Sequence, residues 1–276
     1  MKITDLMGIF YRKKEISEKY YNPVLNEDFR GKCVVVTGGT GGIGSALVER
    51  YVYAGAYVII HYHNLKKRAE SIQKRLRKSD RGTCEIFKAD LGKRTEVLNL
   101  IAFALKARKR VDIWINNAAI ISSPSDWKSI SELDWDKTIA LNLKGVFECS
   151  RIVGMVMLKQ KYGKIVNISS LRGQFGSEDL IAYAASKAGV ENLTKSFAKA
   201  LSPFVQVNCV SLGRINGGLG KIHNESEEKQ WAERTLLQRV GNIEDVIGAV
   251  EFLTSKKSDF ITGQVLNIDG GSSIKR

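Results

Sequence analysis

From about residue 32 the chain alternates short apolar runs with longer stretches of helical period. "KCVVVTG" reads as a strand, followed by a helix over 42–54. "AYVIIHY" is the second strand, with a helix over 66–79 after it. "TCEIFKAD" is the third, and "RTEVLNLIAFALKARK" its helix. "VDIWINNA" is the fourth, followed by one long helical segment from Glu132 to Lys161. "GKIVNISS" is the fifth, with a helix over 180–201. "VQVNCVS" is the sixth, and "GQVLNID" the seventh after a helix over 242–254 with Asn242 as N-cap. Continuous β-branched runs such as Val34-Val35-Val36 fit strands covered on both faces. Strands joined through helices take right-handed crossovers into a parallel sheet. The pattern therefore predicts a single-domain α/β fold. Its form is a Rossmann-like, doubly wound, seven-stranded parallel sheet with helices on both faces. Residues 1–30 precede the first strand as an extension, and 31–276 form the domain. Residues 216–240 break the alternation, and "NGGLG" is a plausible hinge for a mobile excursion over a site.

Composition narrows the picture by exclusion. The 276 residues are 43% hydrophobic and 26% charged, the ordinary globular range. No apolar run is long enough for a membrane span. The N-terminal stretch lacks the apolar core and small-residue cleavage site of a secretory signal. Four cysteines (Cys33, Cys84, Cys149, Cys209) are widely spaced, and no metal-ligand pairing occurs among them. They read as reduced thiols of a cytoplasmic protein. The formal net charge is +14, but the basic residues are spread over helix faces. No zinc-finger, RRM or helix-turn-helix pattern accompanies them, so a nucleic-acid partner is not expected.

The chemistry begins at "TGGTGGIG", residues 37–44, between the first strand and its helix. Glycine permits both positive φ and the close approach of a pyrophosphate. The N–H groups of the following helix face an anion there. The loop can be read as Gly39-x-Gly41-x-x-Gly44 or with Gly38, Gly42 and Gly44 as the required positions. The first register needs an acidic residue at the end of strand two for the ribose 2′-hydroxyl. The chain reads "VIIHYHNLKKR" there, with Tyr62 in the expected place, then His63 and Asn64. An acid would repel a 2′-phosphate, whereas this segment tolerates or attracts one. NADP(H) is thus favoured, with NAD(H) as the alternative. The second register is the one that belongs with the Ser–Tyr–Lys set further along the chain: there Gly38 makes the turn, Gly42 and Ile43 face the pyrophosphate, and Gly44 lets the helix pack on the sheet. Gly39, Thr40 and Gly41 are expected at the loop tip, near the adenosine ribose.

Further along, "YAASK" puts Tyr183 and Lys187 four apart on one helix face. Ser170 closes strand five on the sheet edge that carries the glycine loop. Asn142 is a polar residue in an apolar helical run and needs a buried partner. A phenol of pKa about 10 must be lowered to act near neutral pH. A shift of about 3 units needs roughly 4 kcal/mol, which a neighbouring ammonium and an oxidised nicotinamide can supply. The Ser170 hydroxyl can donate to a substrate carbonyl.

These motifs resemble, in order, those of the short-chain dehydrogenase/reductase family in its single-domain form of roughly 250 residues. The resemblance spans residues 31–272 and rests on "TGGTGGIG", Asp90-Leu91, "NNAA" at 116–119, Asn142, Ser170, "YAASK" and "ITGQVLNIDGG". It implies that Tyr183 is the acid/base, that Lys187 binds the nicotinamide ribose and lowers the Tyr183 pKa, and that Ser170 orients the substrate. Asn142 would position a water linking Lys187 to solvent. Ser170 is chosen over Ser169 because it stands thirteen residues before Tyr183. Asp90 would contact the adenine, with Leu91 beside it, and Asn117 and Ala118 the adenosine ribose. Gly213 and Ile215 would meet the nicotinamide end.

One departure matters. The family pattern has Pro-Gly after strand six and then a Thr, whereas this chain reads "VSLGRINGGLG". Leu212 replaces the proline, and Asn216-Gly217 stand where the Thr is expected. The resulting reading is an oxidoreductase that transfers a hydride between NADP(H) and a small carbonyl or secondary-alcohol substrate. Homodimers or homotetramers are implied, built through two long helices and the last strand. Within the class, 3-oxoacyl-ACP reductase and sugar dehydrogenase remain alternatives. The acyl-carrier enzymes commonly place an Arg just before strand six. "ALSPFVQVN" has none, which leaves Lys159, Lys161 and Lys164 to receive an acidic carrier. A non-catalytic, cofactor-binding regulatory protein is the alternative of a different class.

Overall fold

Strand β1 (Cys33–Val36) is fully buried along its length, because helices cover both faces of the sheet it centres. Val34 and Val36 face one core layer and Val35 the other, as the two-residue period of a strand requires. The computed structural model describes residues 29–77, 81–121, 126–220, 222 and 224–275. The expected N-terminal extension lies outside the described residues up to position 28. Phe29, however, is buried in the core and meets the Tyr51 ring edge-on at 4.9 Å.

Among the described residues, six more strands complete the sheet: β2 (Tyr57–Tyr62), β3 (Thr83–Lys88), β4 (Ile113–Asn116), β5 (Gly163–Ser170), β6 (Val205–Leu212) and β7 (Val265–Ile268). All pairs are parallel, in the order β3-β2-β1-β4-β5-β6-β7. The order reverses between β1 and β4, so a crevice opens beyond their carboxyl ends.

Helices α1 (Gly42–Tyr53), α2 (Lys66–Leu76) and α9 (Ile243–Thr254) cover one face, through Leu47, Val48, Ile72, Val246 and Val250. Helices α3 (Arg94–Arg108), α5 (Val146–Gln160) and α7 (Ile181–Ala200) cover the other, through Leu100, Val153, Met157 and Ala198 against Trp114, Ile165 and Val207. Asn242 caps α9 as expected and completes a capping box with Asp245. The expected end of the second helix at residue 79 lies outside the described residues. No helix among the described residues is long and apolar enough to cross a membrane.

Two elements differ from the sequence pattern. The single helix expected over 132–161 is divided into α4 (Glu132–Ile139), a π-helical turn (Ala140–Gly145) and α5. The wide turn forms where Asn142 bonds the Ile120 backbone and Gly145 passes close to Leu91, whose carbonyl oxygen would lie 3.0 Å from a Cβ at 145. The excursion expected over 216–240 is not all loop. It contains helix α8 (Glu225–Glu233), N-capped by Asn224, and it is tied to the body by an Ile215–Gly241 bridge. A short helix α6 (Arg172–Phe175) follows β5.

Candidate active site

The glycine loop answers the question of register by its contacts. Gly38 adopts φ +62, and a Cβ there would lie 2.9 Å from the Ala118 Cα. At Gly44 a Cβ would lie 2.2 Å from the Gly38 carbonyl oxygen, and at Gly42 it would lie 1.9 Å from that of Gly217. Gly41 has only one neighbour, at 3.4 Å. The packing therefore demands glycine at 38, 42 and 44, crowds position 39 against the Ile60 side chain at 2.8 Å, and leaves 41 open. Within the loop, Gly39 and Thr40 are buried and Gly41 is exposed. The Gly39 N–H donates to the His61 carbonyl oxygen at 2.9 Å, which draws the loop down onto β2.

Below the loop, the Thr37 hydroxyl accepts the N–H groups of Asn117 (2.9 Å) and Ala118 (3.0 Å) and donates to the Ile115 carbonyl. The Asn117 amide in turn donates to the Thr37 and Gly38 carbonyls. Its side chain thus holds the glycine loop to the end of β4. Helix α1 has Gly41 at its N-cap and so no side-chain cap. Its first-turn N–H groups suit an anionic group.

Beyond β2, Tyr62 is buried, whereas His63 and Asn64 are exposed. Lys66 pairs with Glu70 at 3.7 Å, and Lys67 and Arg68 face solvent. Beyond β3, the Asp90 carboxylate accepts the Gly92 N–H and lies 3.6 Å from the Lys93 ammonium. Leu91 is a core residue.

Of the four residues of the expected catalytic set, Ser170 ends β5, Tyr183 and Lys187 lie along α7, and Asn142 lies in the π-helical turn. Ser170 and Ser169 are separated by their partners. Ser169 is buried and donates to the Lys187 carbonyl (3.2 Å) and to Glu191 (3.0 Å). Ser170 is partly exposed, accepts the Arg172 N–H and stands close enough to the Tyr183 phenol to lower it. Tyr183 is 8% exposed. Burial pushes its phenol above the usual value, while the Ser170 hydroxyl and the Arg172 guanidinium pull it back. Arg172 was not foreseen in the site. It is anchored to Ser177 and, at 2.7 Å, to Asp179.

Lys187 is 3% exposed and donates to the Ile168 carbonyl at 2.7 Å. Burial lowers its ammonium to about 8, and the nearby Cys209 opposes that slightly. Asn142 is fully buried, and both ends of its amide are engaged by Ile120: its oxygen accepts the Ile120 N–H (2.9 Å) and its NH2 donates to the Ile120 carbonyl (2.8 Å).

The segment after β6 leaves the sheet through Gly213, whose N–H donates to the Ile268 carbonyl at 3.0 Å. A Cβ at 213 would lie 2.9 Å from the Asp269 Cα. The Ile215 side chain is buried in the core rather than turned to the crevice. Where the family pattern has Thr, the backbone of Gly217, at φ +82, lies against Gly42 instead. Arg214 stacks 4.9 Å from the Trp231 ring and pairs with Glu227 at 2.9 Å, while the Trp231 indole N–H donates to the same carboxylate. These contacts fasten α8 to the end of β6.

Two expectations from the sequence are corrected here. Lys164 is 1% exposed, and its ammonium is spent on the Ser255 carbonyl, Ser258 and Asp259. Lys159 and Lys161 end α5 just before β5 begins, which puts them at the sheet edge opposite the crevice. None of the three can receive an acidic carrier at the site. The four cysteines are free and buried as expected. Burial pushes Cys33 and Cys209 up to about 12 and Cys84 to about 11, so none is a ready nucleophile.

A family model described as enoyl-(acyl carrier protein) reductase matches residues 38–273. The chain belongs to the short-chain dehydrogenase/reductase family. It is 34% identical over 248 residues to a 3-oxoacyl-[acyl-carrier-protein] reductase of Thermotoga maritima, covering 87% of this chain and 97% of that one. It is 36% identical over 242 residues to the enzyme of that name from Synechocystis, covering 87% and 96%. A 3beta-hydroxysteroid dehydrogenase 1 of Eggerthella lenta is 34% identical over 255 residues, covering 91% and 97%. A short-chain type dehydrogenase/reductase from Mycobacterium ulcerans superposes with a TM-score of 0.85 at 26% identity, covering 90% and 92%. The protein is an NAD(P)-dependent oxidoreductase acting on a carbonyl or its alcohol.

Proposed function

We propose that this short-chain dehydrogenase/reductase uses NADP(H) and reduces a 3-oxoacyl thioester or a small ketone of similar shape. The observation that carries the cofactor choice is the end of β2. Its exposed residues His63 and Asn64 include no acid, and the one carboxylate on the first turns of α2, Glu70, is paired with Lys66. Lys67 and Arg68 remain to favour a 2′-phosphate. The residues present fit a dinucleotide. Gly38, Gly42 and Gly44 leave room for close approach, and the start of α1 has N–H groups without a side-chain cap.

The bound nicotinamide supplies or takes the hydride. The chain does the rest. The Ser170 hydroxyl donates to the substrate oxygen and holds it beside Tyr183. The Tyr183 phenol gives its proton to that oxygen in reduction and recovers it in oxidation. Lys187 holds the nicotinamide ribose and, as a cation beside the phenol, favours the phenolate. Asn142, locked to Ile120, fixes the π turn next to α7 and with it the path from Lys187 to solvent. Asp90, Leu91, Asn117 and Ala118 form the adenosine end, and Gly213 with Ile215 closes the nicotinamide end through backbone groups.

We place the protein in the cytoplasm, where its four thiols stay reduced. Assembly into a dimer or tetramer is supported by an apolar depression lined by Ile139, Leu143, Phe147, Gly189 and Leu193, with Phe147 37% exposed. The decisive experiment is a screen of 3-oxoacyl thioesters, ketosteroids and sugars with NADPH and NADH. Turnover of a thioester with NADPH supports the reading. Tighter binding of NADH overturns the cofactor choice. The Tyr183→Phe variant should lose turnover by about 10²–10⁴-fold while cofactor affinity stays unchanged. A variant that keeps its activity removes Tyr183 from the chemistry and returns the non-catalytic alternative.

A further inference from the structure

His61, next to the Tyr62 and His63 that sequence patterns single out, is 2% exposed at the end of β2. Its ring lies between two segments of the crevice. Nδ1 is 3.0 Å from the Gly38 backbone N. A backbone N–H can only donate, so Nδ1 is the acceptor and carries no proton. Nε2 is 3.0 Å from the Ala89 carbonyl oxygen, which can only accept, so Nε2 holds the ring proton. Two backbone partners thus dictate one neutral tautomer. The main chain adds to the clamp: the His61 carbonyl accepts the Gly39 N–H, and the Ala89 N–H donates to the Tyr62 carbonyl at 3.0 Å. The imidazole therefore spans from the turn of the glycine loop to the residue preceding Asp90.

We propose that His61 is a positioning residue of the dinucleotide site: its neutral imidazole holds the positive-φ turn at Gly38 and sets the spacing between the glycine loop and the Asp90 segment. The inference rests on the reading that these two segments hold the adenosine and pyrophosphate of a dinucleotide.

The surroundings keep the ring neutral. Burial lowers the imidazole to about 4, far below its usual value. Asp90 and Glu96, on the side of α3, favour the proton, and His63 opposes it. Lys93 lies 3.6 Å from both carboxylates and offsets them. Lys88, at the end of β3, is exposed, and the loop from Thr37 to Gly44 brings no titratable group. A protonated ring would set an Nδ1–H against the Gly38 N–H. The low value keeps the clamp closed throughout the neutral range.

Three variants separate the two ring contacts. An Asn amide oxygen stands near the Nδ1 position and can still accept from Gly38. A Gln amide nitrogen reaches the Nε2 position and can still donate to Ala89. Phe does neither. The readouts are NADPH binding by fluorescence titration at pH 7.5 and the ¹⁵N spectrum of the cofactor-free protein. The spectrum should show His61 with Nε2 protonated and Nδ1 bare. His61→Phe should weaken NADPH binding by about 10-fold or more while the saturated kcat changes less than about 3-fold, and His61→Asn should restore most of the affinity, more than His61→Gln. Acid unfolding adds a check that does not depend on the cofactor. Wild type should lose on the order of 10²-fold in its folding constant between pH 6.5 and 4 relative to His61→Asn.

NADPH affinity in folded His61→Phe within about 2-fold of wild type would reduce His61 to a structural residue. A protonated Nδ1 would remove the clamp itself. If wild type binds neither NADPH nor NADH, the dinucleotide reading fails first and takes the positioning role with it, whatever tautomer the spectrum shows.

Discussion

Lys187 Nζ stands 5.6 Å from the centre of the Tyr183 ring, and its hydrogen bond goes to the Ile168 carbonyl, not to the phenol. The ammonium makes no bond to the phenol, and the groups that pull the phenol down are the Ser170 hydroxyl and the Arg172 guanidinium. In the protein by itself burial is the larger effect, and the phenol is raised. The protein alone holds Tyr183 protonated, ready to give its proton to a carbonyl.

Lys187 also makes stability depend on pH. Its ammonium is lowered to about 8 by burial, against an ordinary value of about 10.4. Between those values the unfolded chain keeps a proton that the native state has released. Stability from this group therefore rises as pH rises from 8 towards 10.4 and is lost again as pH falls. The change is about 3 kcal/mol. Urea unfolding at pH 8 and pH 10 should show it in wild type, and Lys187→Met should lack it. An equal rise in both proteins would contradict the assignment.

Alanine substitution discriminates the glycines. Gly44→Ala places a Cβ 2.2 Å from the Gly38 carbonyl oxygen. It should cost about 2 kcal/mol or more and abolish cofactor binding. Gly41→Ala meets only one atom, at 3.4 Å. It should cost less than about 1 kcal/mol at this N-cap and leave binding intact. Calorimetric melting with cofactor titration checks both, and equal effects would restore the other register.

The lid should loosen without Arg214. Its guanidinium joins Trp231 and Glu227 of α8 to the second residue after β6. Arg214→Ala should raise substrate KM by about 3- to 10-fold, the loss of about 1 kcal/mol of closure, and should speed protease cleavage between β6 and α8. Unchanged cleavage kinetics would show that α8 is held by other contacts.

At the opposite sheet edge, Asp112 is fully buried. Its carboxylate accepts from Arg110 Nε at 3.0 Å and from the Cys33 N–H at 2.9 Å. Asp112→Ala leaves the buried Cys33 N–H without this partner and removes an ion pair whose Arg110 end is half exposed, and should cost about 1–3 kcal/mol. The specific activity of the protein that remains folded should be unchanged, because the site lies at the other end of the strands. Denaturant titration and steady-state rates on the same preparation test both halves of that statement.

Strand and helix order was legible because burial on both faces leaves a continuous apolar signature such as Val34-Val35-Val36, and amphipathic helices leave a periodic one. The Asn242 cap was legible for a similar reason, being a local bond between residues three apart. The break at 140–145 was not, since it depends on Asn142 meeting Ile120, 22 residues earlier. Helix α8 was missed because its sequence is polar and its anchor is Arg214, thirteen residues before Glu227. Lys164 looked like a surface cation because its partners lie more than 90 residues away.

The sequence by itself determined the doubly wound order, the glycine-rich turn and the Ser170–Tyr183–Lys187 spacing, because each depends on periodicity or on residue types a few positions apart. Only the tertiary structure decided that the glycine loop is held to β4 through Asn117 and drawn onto β2 through Gly39, and that His61 rather than its neighbours grips it. Those outcomes turn on which backbone groups come within 3 Å of each other across different strands, and no local pattern along the chain carries that distance.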